Sequence, residues 1–309
     1  MYEIAFRCDA SKFYKIGTGH LYRCLAIAEG LTKKYKLKKN KIIFICKKNN
    51  LFNKIKKIIK NKNFKVVFFN RENEENLLNK LKSKNIIFDR IQTESKKIIK
   101  IATKKYQKAI FFDAYNNNIN GCLRINGIIH KKKIKYSGYK YLITPLLNEK
   151  RDKFKIDEKK IFINLGGINK ILSYKIYKNL IKIKKFKDFK FCLPEGSKFS
   201  KKNIEFYDST NFYKKIKESK IIICSGGLVF FDALILDKKI LVFAKDRLQR
   251  NNILNINRLF NSKIQIINNL KDLKLIFLKL HKSKNKYKKI LNIKNMDLTL
   301  KIIYNYLYD

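Results

Sequence analysis

Short apolar runs alternate with stretches of helical periodicity along almost the whole of this 309-residue chain, and that alternation leaves few folds open. Runs at 2–8, 42–46, 65–69, 86–88, 109–112 and 122–126 read as strands. Helical patterns near 19–35, 51–61, 73–83 and 94–104 separate the first five. Strand, helix and strand in repeated succession build a parallel sheet with helices on both faces. The pattern lapses between Tyr141 and Lys159, where Pro145 and the charged stretch 148–155 predict an interdomain crossover. It restarts with a strand at 161–165, a turn at Gly166-Gly167 and a helix over 169–183. Strands near 188–192, 204–207, 220–224, 240–243 and 263–267 follow, and the tail at about 284–307 reads as helix. The expected class is α/β, with two open parallel-sheet domains over 1–147 and 148–309, each long enough to bury its own core.

The first domain opens with a strand that runs into a polar loop, a glycine turn and a helix. Ile4-Ala5-Phe6 suits a strand buried on both faces. Leu21, Cys24, Leu25, Ala28 and Leu31 recur at helical spacing, so a helix starts near Gly19 or His20. Gly17 and Gly19, with Thr18 between them, let the backbone approach a ligand closely. The first amides of the helix favour an anion at that turn. His20 sits at the mouth, where a neutral imidazole is suited to general-base work and a histidine is equally at home as a plain cap. Asp9, Asp89 and Asp113 each follow an apolar run, so they fall at strand ends, where open α/β sheets place ligands. Asp9 is the one expected to orient His20 or a ligand hydroxyl. A dinucleotide fingerprint is absent because Tyr22 stands where its third glycine belongs, and no Gly-Lys-Ser/Thr phosphate loop is present.

The second domain repeats the device at Ile221-Ile222-Ile223-Cys224-Ser225-Gly226-Gly227-Leu228. An apolar strand enters a small-residue turn at a helix start, which suits a diphosphate. Asp232 lies about a turn and a half into that helix, as a ribose ligand or as a solvent-facing acid.

The formal net charge of +49 would ordinarily point to nucleic acid or an anionic membrane. Here the excess is almost all Lys, with only nine Arg, and it is spread from end to end. Abundant Asn and Ile and scarce Gly and Pro fit the codon bias of an AT-rich genome. A nucleic-acid reader concentrates its charge on one face, so no specific nucleic-acid partner is expected. The six cysteines form no Cys-x-x-Cys pair and the three histidines have no metal-ligand spacing. Free thiols in a reducing cytosol, no metal and no cofactor are the expectation. No apolar run approaches a membrane span and no signal-peptide pattern opens the chain, which implies a cytoplasmic protein.

Phe6-Arg7-Cys8-Asp9-Ala10-Ser11, followed by Ile16-Gly17-Thr18-Gly19-His20 and then Arg23-Cys24-Leu25, resembles the opening of the UDP-sugar hydrolases of the pseudaminic acid pathway and their spore-coat polysaccharide relatives. That family is similar to the GT-B glycosyltransferases, including the N-acetylglucosaminyltransferase of peptidoglycan synthesis. The resemblance implies a GT-B-like pair of domains facing a central cleft, with a terminal helix that crosses back to the first. It places the family's catalytic base on His20. Ser225-Gly226-Gly227-Leu228 and Asp232 resemble the family's nucleotide signature, whose acid is usually Glu and contacts the ribose. Gln249 falls on the family's Gln beside the donor, and Gly166-Gly167 on its double glycine. Two departures stand out. Ile168-Asn169 replaces the usual Ser/Thr-Asp, and Thr144-Pro145-Leu146-Leu147 lacks the Arg and Glu that many hydrolases carry there. The implied activity is metal-independent, inverting hydrolysis of a UDP-linked amino sugar, with a GT-B glycosyltransferase as the alternative.

Overall fold

The computed structural model describes residues 1–10, 18–70, 73–90, 95–113, 119–128, 133–148, 154–166, 170–195, 202–208, 211–244, 246–262, 264–282 and 293–309. These form two compact units: residues 1–148 together with 292–309, and residues 149–291. The last helix belongs to the first unit.

In the first unit, strands β1 (Tyr2–Cys8), β2 (Ile42–Lys47), β3 (Lys65–Phe69), β4 (Ser83–Asp89), β5 (Lys108–Phe112), β6 (Leu123–Asn126) and β7 (Tyr136–Ser137) alternate with helices α1 (Gly19–Tyr35), α2 (Phe52–Lys60), α3 (Glu74–Lys80) and α4 (Lys96–Lys105). The sheet order is β3-β2-β1-β4-β5-β6-β7, and every recorded pairing is parallel. Strands run outward from β1 on one side, then restart at β4 on the other. The order therefore reverses between β1 and β4, the place where open α/β sheets leave a crevice at their strand C-termini.

The helices form because their apolar residues recur on one face. Leu21, Cys24, Leu25, Ala28 and Leu31 of α1 are all buried, as are Ile55 and Ile59 of α2 and Ile98 and Ala102 of α4. The Ser95 hydroxyl accepts the Ile98 N–H at 3.2 Å and caps α4. Lys36 ends α1 in a left-handed conformation, at φ 59°. The final helix of the chain, Ile293–Tyr308, packs on α1. A Cβ on Gly30 would lie 2.6 Å from Leu300 Cδ1, so a larger residue there would make the ends of Leu300 and Met296 shift. Tyr35 stacks on Tyr304 with ring centroids 4.0 Å apart, and Tyr306 donates to the Gly121 carbonyl.

The second unit holds β8 (Asp157–Asn164), β9 (Lys190–Pro194), β10 (Ile204–Tyr207), β11 (Ser219–Cys224), β12 (Lys239–Phe243) and β13 (Gln265–Ile267). Between them lie α5 (Lys170–Ile181), α6 (Phe212–Glu218), α7 (Leu228–Ile235) and α8 (Arg247–Leu259), with α9 (Leu273–Lys282) following β13; the terminal helix is α10. Strand order is β10-β9-β8-β11-β12-β13, again parallel, and the reversal falls between β8 and β11. The core is a continuous apolar cluster of strand and helix side chains, with Ile163, Ile223 and Leu241 from the sheet and Tyr177, Leu180 and Phe277 from α5 and α9. Both units are thus doubly wound sheets, as the alternation predicted.

Candidate active site

The reversal in the first sheet brings the end of β1 beside the end of β4, with Cys8 in register with Asp89. Side chains alternate across a strand, so Phe6 and Cys8 point to one face and Arg7 to the other. Helix α1 covers the Cys8 face, since Cys24 meets the Cys8 thiol there. His20, Arg23 and Cys24 are spaced i, i+3, i+4, one stripe of α1, and that stripe meets Asp89.

Asp89 is completely buried and its carboxylate is saturated. Its Oδ1 accepts from His20 Nδ1 at 2.7 Å and from an Arg23 terminal nitrogen at 2.5 Å. Its Oδ2 accepts from Arg23 Nε at 2.6 Å, and the Cys24 thiol approaches it at 3.7 Å. The remaining Arg23 nitrogen donates to Asp113 Oδ2, and Asp113 Oδ1 accepts the Ile128 N–H at 3.0 Å. Burial pushes the Asp89 carboxyl up, but Arg23 and then His20 more than offset it and hold it well below the usual range. An ionised carboxylate only accepts, so the hydrogen between it and the ring belongs to His20 Nδ1; when the ring is neutral its lone pair lies on Nε2. The ring keeps 15% exposure. It stands at the second residue of a 17-residue helix whose N-cap residue, Thr18, makes no side-chain cap hydrogen bond.

Asp9 does not make the contact with His20 expected of it. It continues the Arg7 face, and both its oxygens accept from that guanidinium, at 2.6 and 3.4 Å. Arg7 is 1% exposed, lies 4.7 Å over the Phe69 ring and donates Nε to Glu74 at 2.7 Å. Arg90 donates to the same Glu74 oxygen. The strand end therefore carries two ion clusters, one on each face of the sheet, and His20 still contributes to holding the Asp9 carboxyl down. Arg23, Glu74 and Arg90 join the strand-end clusters beyond the residues the sequence points to. The signal for Arg23 was present in its spacing from His20, whereas Glu74 and Arg90 give none before the sheet order is known. Gly17 lies outside the described residues; Thr18 and Gly19 form the start of α1.

The three thiols at this strand end are closed to chemistry. Cys8 and Cys46 lie 3.8 Å apart; the hydrogen bond with Cys24 and burial push Cys8 up, the hydrogen bond with Cys8 and burial push Cys46 up, and burial pushes Cys24 up to about 11. All six cysteines are free. Among the described residues, no group of three or more His, Cys, Asp and Glu side chains is arranged to hold a metal ion. None of the described helices is long and apolar enough to cross a membrane.

The reversal in the second sheet carries the other glycine turn. Ser225 N–H donates to the Asn164 carbonyl at 3.2 Å, tying the turn after β11 to the end of β8. Gly166 takes φ +68°, a conformation open to glycine, and donates its N–H to Asn164 Oδ1. Gly227 caps α7. Gly226 is packed tightly: a Cβ there would lie 3.0 Å from Gln249 Cβ and 3.1 Å from Ile253 Cδ1. Its N–H donates to Gln249 Oε1 at 3.0 Å, and Asp246 in turn caps α8 through the Gln249 N–H. Gly166, Ser225, Gly226, Gly227 and Gln249 are thus gathered at one strand end. Asp232 is 1% exposed, and its charge is felt by the Cys224 thiol. It is a buried acid and not the solvent-facing one that the sequence left open. Gly167 lies outside the described residues.

No family model matches the chain. An uncharacterized protein, MJ1062, from Methanocaldococcus jannaschii is 30% identical over 289 residues, which cover 80% of this chain. The chain spans 57% of that protein's length. Among solved structures, a complex of MnaA from S. aureus with UDP aligns with a TM-score of 0.66 at 13% identity, covering 99% of this chain and 96% of the other. The glycotransferase of kitacinnamycin aligns at 0.65 and 10% identity, covering 99% of both chains. At these identities the likeness is one of fold, and the fold is GT-B-like.

Proposed function

We propose that this chain hydrolyses a nucleotide-linked amino sugar of the UDP-2,4-diacetamido-2,4,6-trideoxyhexose type. It would release UDP and free sugar for nonulosonic acid or surface polysaccharide synthesis. The observation that carries the reading is the His20–Asp89 pair at the sheet reversal of the first unit, which leaves the Nε2 lone pair as a base. In this reaction a water molecule attacks the anomeric carbon from the face opposite the diphosphate. Nε2 takes a proton from that water as the new C–O bond forms. The bond from the anomeric carbon to the β-phosphate oxygen breaks, and its electron pair leaves on UDP. Asp89 stays ionised and stabilises the imidazolium. General-base help of this kind contributes about 10²–10⁴-fold.

UDP is a stable leaving group, so fixed positive potential at the diphosphate matters more than a general acid. The helix N-terminus at Gly227, where α7 starts, is assigned to that task; the Gly166, Ser225 and Gly226 amides are spent on Asn164 and Gln249 and shape the turn around it, with Gln249 and Asp232 as nucleotide-side residues. The resemblance of 6–28 and 221–249 to the hydrolase family and the UDP complex of a structural neighbour support the assignment. A glycosyltransferase is the second reading, favoured by the likeness to the kitacinnamycin glycotransferase; there the same base would deprotonate an acceptor hydroxyl. Incubation with UDP-2,4-diacetamido-2,4,6-trideoxyhexose and no acceptor separates the two. Rapid release of UDP and free sugar supports the hydrolase, and an intact donor that turns over only when a sugar acceptor is added overturns it.

A further inference from the structure

The acid that orients His20 is itself held by a chain of partners that the reaction above does not use. Arg23 is 2% exposed and spends three donors on two carboxylates, two on Asp89 and one on Asp113. Asp113 follows β5 with φ +46°, a left-handed conformation that residues other than glycine rarely adopt. That turn of the backbone brings its carboxylate to Arg23 on one side and to the Ile128 N–H on the other. Ile128 is fixed in its turn by Gly127, whose missing Cβ would sit 2.9 Å from Leu142 Cα and from the Tyr141 carbonyl. The line His20–Asp89–Arg23–Asp113–Ile128 therefore links α1, β4, β5 and the turn after β6 through hydrogen bonds between buried or part-buried groups.

We propose that Asp113 is a positioning residue for the base, acting on His20 through Arg23 and Asp89; this rests on the reading of His20 as that base. With its third nitrogen on Asp113, Arg23 presents Nε and a terminal N–H to the two Asp89 oxygens. Asp113 holds Arg23 in that pose, and Asp89 then holds the imidazole with Nδ1–H toward it.

The test uses the full chain labelled with ¹⁵N-histidine. The His20 Nδ1–H proton is followed by NMR in wild type, D113N, D113E and R23K. Release of UDP from UDP-2,4-diacetamido-2,4,6-trideoxyhexose is measured alongside. In wild type the Nδ1–H signal is resolved and slow to exchange. In D113N, which is isosteric, and in R23K, which keeps the charge but not the fork, it shifts or is lost, and kcat falls about 10- to 100-fold with KM nearly constant. D113E, which retains a carboxylate, recovers part of both. A folded D113N with an unchanged Nδ1–H signal overturns the proposal, and so does a loss of melting temperature with both readouts intact. Failure of the base assignment looks different: H20Q would keep wild-type turnover whatever the Asp113 variants do.

Discussion

At the scale of single residues, the decisive distinction is between two aspartates at adjoining strand ends. Asp9 lies two residues beyond Arg7 on one strand, and period-two alternation commits it to Arg7. Asp89 lies in register with Cys8 and faces α1. D89N leaves one acceptor oxygen where Asp89 has two, so His20 Nδ1–H and the Arg23 fork can no longer both be satisfied, and Arg23 has one carboxylate fewer. Turnover should fall by about 10²-fold or more. D9N should leave turnover within a few-fold of wild type yet cost about 3 kcal/mol of stability, because Arg7 is buried and loses one of its two counter-ions. Steady-state kinetics and urea denaturation of the two variants check this pair. Equal loss of turnover in both would return Asp9 to the site.

At the scale of elements, the glycine turns were legible because an apolar strand running into small residues and a helical stripe has few other structures. The stripe on α1 was read from Leu21, Cys24, Leu25, Ala28 and Leu31, and all five are buried. Arg23 hid within it, since a charged residue inside an apolar stripe is read as solvent-facing until a buried partner is known. Asp89 and Asp113 were visible as strand-end acids, but choosing among three acids required the strand order, which depends on contacts distant in sequence. Glu74 sits 67 residues from Arg7 for the same reason. In the second unit, Gly226 is where the turn meets α8. G226A should push Gln249 and Ile253 outward, weaken UDP binding about tenfold and destabilise by about 1–3 kcal/mol. Calorimetric titration with UDP and thermal melting measure the two effects. Unchanged UDP affinity would detach this turn from the nucleotide. G30A, where a Cβ would meet Leu300 at 2.6 Å, should lower stability without touching UDP affinity.

At the scale of the whole molecule, charge governs stability. Asp9, Glu74, Asp89 and Glu205 are all held below their ordinary values of 3.8 and 4.5, because Arg and Lys partners outweigh burial. Below those ordinary values the unfolded chain binds more protons than the folded one. Their stabilisation is thus complete above about pH 5 and is lost as pH falls through the folded values. Melting temperature should drop steeply from pH 5 to pH 3; a flat profile would mean that the ion clusters contribute nothing. The formal net charge of +49 acts in the other direction on salt. Seventy-three cations against 24 anions repel more than the exposed ion pairs attract, so added NaCl should raise the melting temperature at pH 7. The most direct measurement on the proposed chemistry is turnover of UDP-2,4-diacetamido-2,4,6-trideoxyhexose by H20A beside its affinity for UDP. Hydrolysis should fall by at least about 10²-fold with UDP affinity unchanged. A variant that hydrolyses at the wild-type rate would show that the imidazole at the head of α1 is not the base.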